Sequence, residues 1–154
     1  MAQGETINLE TSLGYLLKEA ASALRSAMED VLRPLGMNVT HYSCLELLAQ
    51  RPGLSNSELA RGAFVSRQSM NVLLQSMERD GFVVRAEEAP TGRALPTQLT
   101  QAGRKRLAAA SAAVRGVELR MNSTLDAAEQ DQLRALLTRC ATSLRQHAQP
   151  STGS

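Results

Sequence analysis

Apolar residues recur along most of this chain at helical spacing, in blocks broken by glycine and proline. Leu13, Leu16, Leu17, Ala20, Leu24, Met28, Val31, Leu32 and Leu35 form a stripe that predicts a long helix over about residues 12–33, ended by Pro34 and Gly36. A shorter helix capped by Thr40 follows, carrying Leu45, Leu47, Leu48 and Ala49, and Gly53 closes it after Arg51 and Pro52. Ser55-Asn56-Ser57-Glu58 has the form of a capping box, in which a hydroxyl and a carboxylate take up backbone N–H groups that a helix start leaves unpaired. It predicts a short helix over about residues 56–62. Ser66 caps the next helix, where Met70, Leu73, Leu74 and Met77 recur at i, i+3, i+4 and i+7, and Gly81 supplies the left-handed residue that ends it.

The pattern then changes. Phe82-Val83-Val84-Arg85 is rich in β-formers, the interval from Glu87 to Gly92 holds Pro90 and Gly92 as turn residues, and Leu95 to Leu99 returns as a second strand. Pro96 cannot donate a ladder hydrogen bond, so that strand is expected at an edge. Helical spacing resumes with Thr100 as cap of a helix reaching about residue 122, helped by the alanine-rich run 108–113. Asp126 to Glu129 repeats the capping-box logic, and the last helix carries Leu133, Leu136, Leu137, Cys140 and Leu144 at the spacing of a bundle seam.

Helix, turn, helix, strand, basic loop, strand and long helix is the order of a winged helix-turn-helix. The expected fold is therefore mainly α, with a small two- or three-stranded antiparallel wing. Residues 37–106 form the expected DNA-binding domain, and residues 1–36 and 107–154 a helical dimerisation region, because neither terminal helix has a place in a lone winged helix. The ends, Met1 to Ile7 and Gln149 to Ser154, are polar or small and expected to fray.

At about 100° per residue, the side of the Ser66–Arg79 helix opposite its apolar stripe carries Gln68, Val72, Gln75 and Arg79, with Asn71 on one flank and Arg67 near the start. Asn and Gln can pair bidentately with adenine and Arg with guanine, and hydroxyls such as those of Ser66 and Ser69 at a helix N-terminus reach phosphates. A polar outer face is also what any amphipathic surface helix has, so the wing matters to the reading. Arg93 near its tip is placed to enter a minor groove or grip a backbone, with Glu87 and Glu88 on the stem. Charge agrees with this. The net charge is only +2, but Arg51 to Arg106 holds nine Lys or Arg against five Asp or Glu, while the remainder holds eight against ten. The basic excess lies in the segment expected to meet a polyanion.

Leu59-Ala60, the run Val65 to Asn71, the run Met77 to Arg85, Gly92-Arg93-Ala94 and Leu99-Thr100-Gln101-Ala102-Gly103-Arg104 together resemble the MarR family of bacterial transcriptional regulators. The resemblance joins a recognition helix, a wing and the Leu-Thr-x-x-Gly start of the following helix in order and spacing, and it extends over almost the whole chain. It departs at Thr91, where the family's wing usually carries an Asp two residues before the Arg matching Arg93. The resemblance implies a homodimer that binds double-stranded DNA, more often as a repressor. It also implies a small aromatic or phenolic effector between the dimerisation helices and the winged domain, with Tyr15, His41, Tyr42 and Cys44 as candidate pocket residues. Packing at a helix junction is the alternative role for these four.

With 154 residues, 43% of them hydrophobic but only 3% aromatic and no Trp, the chain can bury one core built from Leu, Ala, Val and Met. His41 and His147 are remote from one another, and the sequence has no Cys-x-x-Cys, His-x-x-x-His or glycine-rich phosphate loop. No enzyme activity, metal or cofactor is expected. The one enzymatic alternative is a detached dimerisation domain of a methyltransferase, and a cofactor domain is missing. Two cysteines without a signal peptide or a long apolar run point to a cytoplasmic chain that does not engage a membrane. Cys140 on the last stripe is expected to be a small core residue, and Cys44 leaves a thiol-responsive regulator open. An interaction module without DNA affinity is the remaining alternative.

Overall fold

A computed structural model describes residues 6–85 and 96–146. Among the described residues the helices are α1 (Leu13–Leu32), α2 (Val39–Gln50), α3 (Asn56–Gly62), α4 (Arg67–Arg79), α5 (Gln101–Met121) and α6 (Ala127–Gln146). Strands β1 (Val83–Arg85) and β2 (Thr97–Leu99) lie between α4 and α5 and pair antiparallel, with Val83 opposite Leu99 and Arg85 opposite Thr97. The fold is a mainly helical winged helix with a two-stranded sheet. Both strands of such a sheet are edges, and Pro96 lies just before β2, where its missing N–H removes no bond of the ladder.

Local signals set most of these boundaries. Ser12 caps α1 by accepting the Tyr15 N–H at 3.2 Å, and Pro34 then tightens the chain into a 3₁₀ turn, Arg33–Leu35, which Gly36 leaves at φ 70°. The start of α2 differs from the sequence expectation. Its cap is Asn38, not Thr40: the Asn38 side-chain oxygen accepts the His41 N–H at 2.9 Å, and the His41 ring Nδ1 accepts the Asn38 N–H at 3.4 Å. Histidine stands where a capping box ordinarily has Glu or Gln, which hides the signal in the sequence.

Leu32, Leu45, Leu48, Leu59, Met70, Leu74 and Met77 form the centre of the core, joined by Val83 and Leu99 from the sheet and by Leu107, Ala110 and Val114 from α5. Here α1 and most of α5 share a compact unit with the winged helix, and the chain divides into two such units between Val117 and Glu118. Three residues fix the start of α5. The Thr100 hydroxyl donates to the Gly81 carbonyl oxygen at 2.6 Å and accepts the Gly103 N–H at 3.1 Å. Gly103 approaches so closely that a Cβ there would run into the Phe82 carbonyl oxygen. Arg106 donates to the Gly36 carbonyl at 3.1 Å while its guanidinium lies 4.7 Å above the centre of the Phe82 ring.

The second unit holds the end of α5 and α6. Asp126 and Glu129 cap α6 reciprocally at 2.8 and 3.1 Å, as their spacing predicts. No residue of α6 is buried, and Leu133, Leu136, Leu137 and Leu144 are all exposed. Cys140, expected in a core, is exposed on the same helix. A seam-like stripe identifies an apolar face, but only a covering element makes that face a core.

Candidate nucleic-acid interface

The helix-turn-helix is α3, a four-residue turn and α4. Ser55 accepts the Glu58 N–H at 3.2 Å and donates its own hydroxyl to the Glu58 carboxylate at 2.9 Å, which starts α3. The turn ends at Ser66, whose hydroxyl accepts the Ser69 N–H at 3.1 Å and donates to the Ser69 hydroxyl at 2.9 Å. Phe64 in this turn is 87% exposed at φ 60°, a left-handed conformation that β-carbon crowding disfavours in an L-residue.

Met70, Leu74 and Met77 bury the inner side of α4. Its outer side is solvated: Arg67, Gln68, Val72, Gln75 and Arg79 are exposed, as are Ser66 and Ser69 at the N-terminal end. From Gln68 to Arg79 that face runs roughly 16 Å at a rise of about 1.5 Å per residue. Such a length covers about five base-pair steps of a major groove, which is wide enough to admit a helix. The orphan N–H groups and partial positive charge of the α4 N-terminus favour phosphate at the same end.

Asn71 is placed differently. It is half-buried, and its side-chain oxygen accepts from the Asn56 amide at 3.1 Å and from Arg85 at 3.5 Å. A bidentate adenine contact would compete for that same oxygen. Arg85 also pairs with Glu78 across 3.4 Å, so α3, α4 and β1 are held together through a cluster the sequence did not reveal. Its members are fourteen or fifteen residues apart at the Asn71 links. Arg93, with Thr91 and the rest of the wing tip, lies outside the described residues.

The four effector candidates are not gathered at one site. Tyr15 lines an open groove with Lys18, Glu19, Ser22 and Ser26, all on α1, while Tyr42 lines a separate cavity of about 240 Å³ with Ser43, Glu46, Gln50 and Arg51. His41 caps α2, and burial, aided by Arg106, lowers its pKa against the opposing pull of Asp80 and Glu29. Cys44 is fully buried, and desolvation pushes its thiol up to about 12, far from the thiolate that redox chemistry needs.

Comparison with known proteins accords with this geometry. A MarR family profile matches residues 35–94. The HTH-type transcriptional repressor Rv2887 of Mycobacterium tuberculosis is 39% identical over 128 residues, which are 83% of this chain and 92% of that protein. The chain belongs to the MarR family. The structure of Rv2887 in complex with DNA aligns with a TM-score of 0.70 at 37% identity, covering 84% of this chain and 98% of that one. Its complex with salicylic acid aligns at 0.71 and 38%, covering 84% and 96%. The transcriptional repressor CouR bound to a 23-mer DNA duplex aligns at 0.77 and 27%, covering 89% and 99%. As a MarR-family protein the chain is a DNA-binding transcriptional regulator and not an enzyme. No described helix is long and apolar enough to cross a membrane.

Proposed function

We propose that this MarR-family regulator is a cytoplasmic homodimeric repressor that reads a pseudo-palindromic operator through α4 and is released by a small aromatic acid or phenol. The observation that carries the reading is the outer face of α4, where Gln68, Gln75 and Arg79 stand in line beyond an exposed, serine-capped N-terminus. Ser66, Arg67 and Ser69 hold phosphates, Gln68 and Gln75 read base edges, Arg93 on the wing grips the adjacent backbone or minor groove, and Asn71 sets the position of α4 in addition to flanking the bases.

Dimerisation follows from apolar surface. Leu13, Leu16 and Leu17 on α1 and Leu133, Leu136, Leu137 and Leu144 on α6 are exposed in the single chain, and a second copy would remove them from water. Two copies about a two-fold axis present two α4 helices to half-sites about one helical turn apart. For the effector, the salicylic acid complex of Rv2887 supports a small aromatic acid. Among the four candidate residues, Tyr15 lines the open groove on α1 and Tyr42 the cavity beside α2. A thiol-responsive regulator is the weaker reading because Cys44 is buried and held as a thiol.

The test is a gel shift with the DNA flanking the protein's own gene, with and without competitor DNA and salicylate, beside sedimentation at micromolar concentration. Sequence-preferring binding by a dimer, weakened by salicylate or a related phenol, is the expected result. A monomer, or equal binding to all duplexes, would overturn it.

A further inference from the structure

One residue on the reading face is of the wrong chemical type for a merely solvated surface. Val72 is 60% exposed, one turn beyond Gln68 and one turn before Gln75, and so stands at the middle of the polar row. Single apolar residues on a surface need no explanation in general. Here the neighbours supply one. Valine is a poorer helix former than the straight-chain polar residues that serve on a solvated face, because its branched β-carbon is stiff against the preceding turn. Exposed as it is, Val72 recovers little of that cost from the core.

Resting on the reading of α4 as the recognition helix, we propose that Val72 is a specificity-determining residue that packs against the C5 methyl of a thymine in each operator half-site. The chemistry of the row selects this partner. Gln68 and Gln75 on either side suit the N6 and N7 edge of adenine, and every adenine brings a paired thymine whose methyl is the apolar group displayed in the major groove. A branched aliphatic side chain between two amides matches a methyl lying among adenine edges. Cytosine presents an amino donor and no methyl, and guanine presents two acceptors, so neither gives Val72 an apolar contact.

The experiment begins with an operator selected from a random duplex pool by the full-length protein. Each thymine of a half-site is then replaced in turn by deoxyuridine, which deletes only the methyl. One position is expected to lower wild-type affinity about fourfold per half-site, the size of one buried methyl-sized group, and about fifteenfold when both half-sites are substituted. Val72→Ala should bind the thymine and deoxyuridine duplexes alike, at the wild-type affinity for the deoxyuridine duplex, with an unfolding midpoint no lower than wild type. If every deoxyuridine duplex binds wild type as tightly as the parent, or if Val72→Ala keeps the discrimination, the assignment is wrong while the regulator reading stands. If the pool yields no preferred sequence, both fall together.

Discussion

The Thr100 hydroxyl donates to the Gly81 carbonyl oxygen across 2.6 Å, closing the turn that leaves α4 onto the first turn of α5. Its oxygen simultaneously accepts the Gly103 N–H, so one side chain both starts a helix and holds the root of the wing. Thr100→Val keeps the shape and removes both bonds. It should cost about 1–2 kcal/mol in urea unfolding, whereas Thr100→Ser, which keeps the hydroxyl, should cost well under half of that. A Thr100→Val variant as stable as wild type, with the larger loss in Thr100→Ser, would assign the effect to packing of the methyl.

At Gly103 two principles oppose one another. Helix propensity favours Gly103→Ala by about 1 kcal/mol, but the new β-carbon would strike the Phe82 carbonyl, which is backbone and cannot rotate away. Overpacking should win, with a net loss of about 1–3 kcal/mol in denaturant unfolding. A stabilised variant would show that α5 can draw back without cost.

His41 makes stability depend on pH. Burial, with Arg106 adding to it, lowers its pKa below the ordinary 6.5, so the unfolded chain takes up a proton before the folded one does. Its contribution is complete above 6.5 and is lost as the pH falls below that value, where protonation also removes the Nδ1 acceptor of the α2 cap. The urea midpoint of wild type should fall between about pH 7.5 and pH 5.5, and His41→Gln should fall less over the same range. Parallel curves would place the pH dependence elsewhere.

Cys44 should be chemically silent while the chain is folded. In a Cys140→Ser background, where Cys44 is the remaining thiol, an alkylating reagent at neutral pH should label nothing until denaturant is added, since the buried thiol is held near 12. Rapid labelling of the native protein would revive the thiol-responsive reading.

Phosphate grip and base reading separate on two kinds of duplex. Gln75→Ala should weaken operator binding by roughly 1–3 kcal/mol and hardly change binding to random DNA. Arg93→Ala should weaken both to a similar extent and lower the log-log salt slope by about 0.9. Indistinguishable behaviour of the two variants in salt-dependent titrations would mean that the roles are misassigned.

How much of this was legible in the chain depends on distance along it. Caps at Ser55, Ser66, Thr100 and Asp126 are contacts over three residues, and the sequence displays them openly. So is the α4 stripe of Met70, Leu74 and Met77. Asn38 was missed although its cap is equally local, because a histidine ring does what a Glu or Gln does elsewhere. Asn71 could be placed on a helix flank but not assigned its partners, since Asn56 and Arg85 reach it only through folding. Tyr15, His41, Tyr42 and Cys44 are candidates through the family resemblance and their residue types, and neither carries information on which cavity a side chain lines. The glycine of the Leu-Thr-x-x-Gly signature acquires its reason only when the Phe82 carbonyl is seen against it.

The tie from Asn71 to both Asn56 and Arg85 fixes how far α4 is turned about its own axis. A helix held by one neighbour can roll. One clasped from α3 on one side and from β1 on another arrives at a duplex with its side chains already aimed, so little rotational freedom remains to be lost on contact. In the homodimer proposed above, a signal that dislodges such a head would swing it as a rigid body, changing the span between two half-sites while leaving the alphabet each one reads intact.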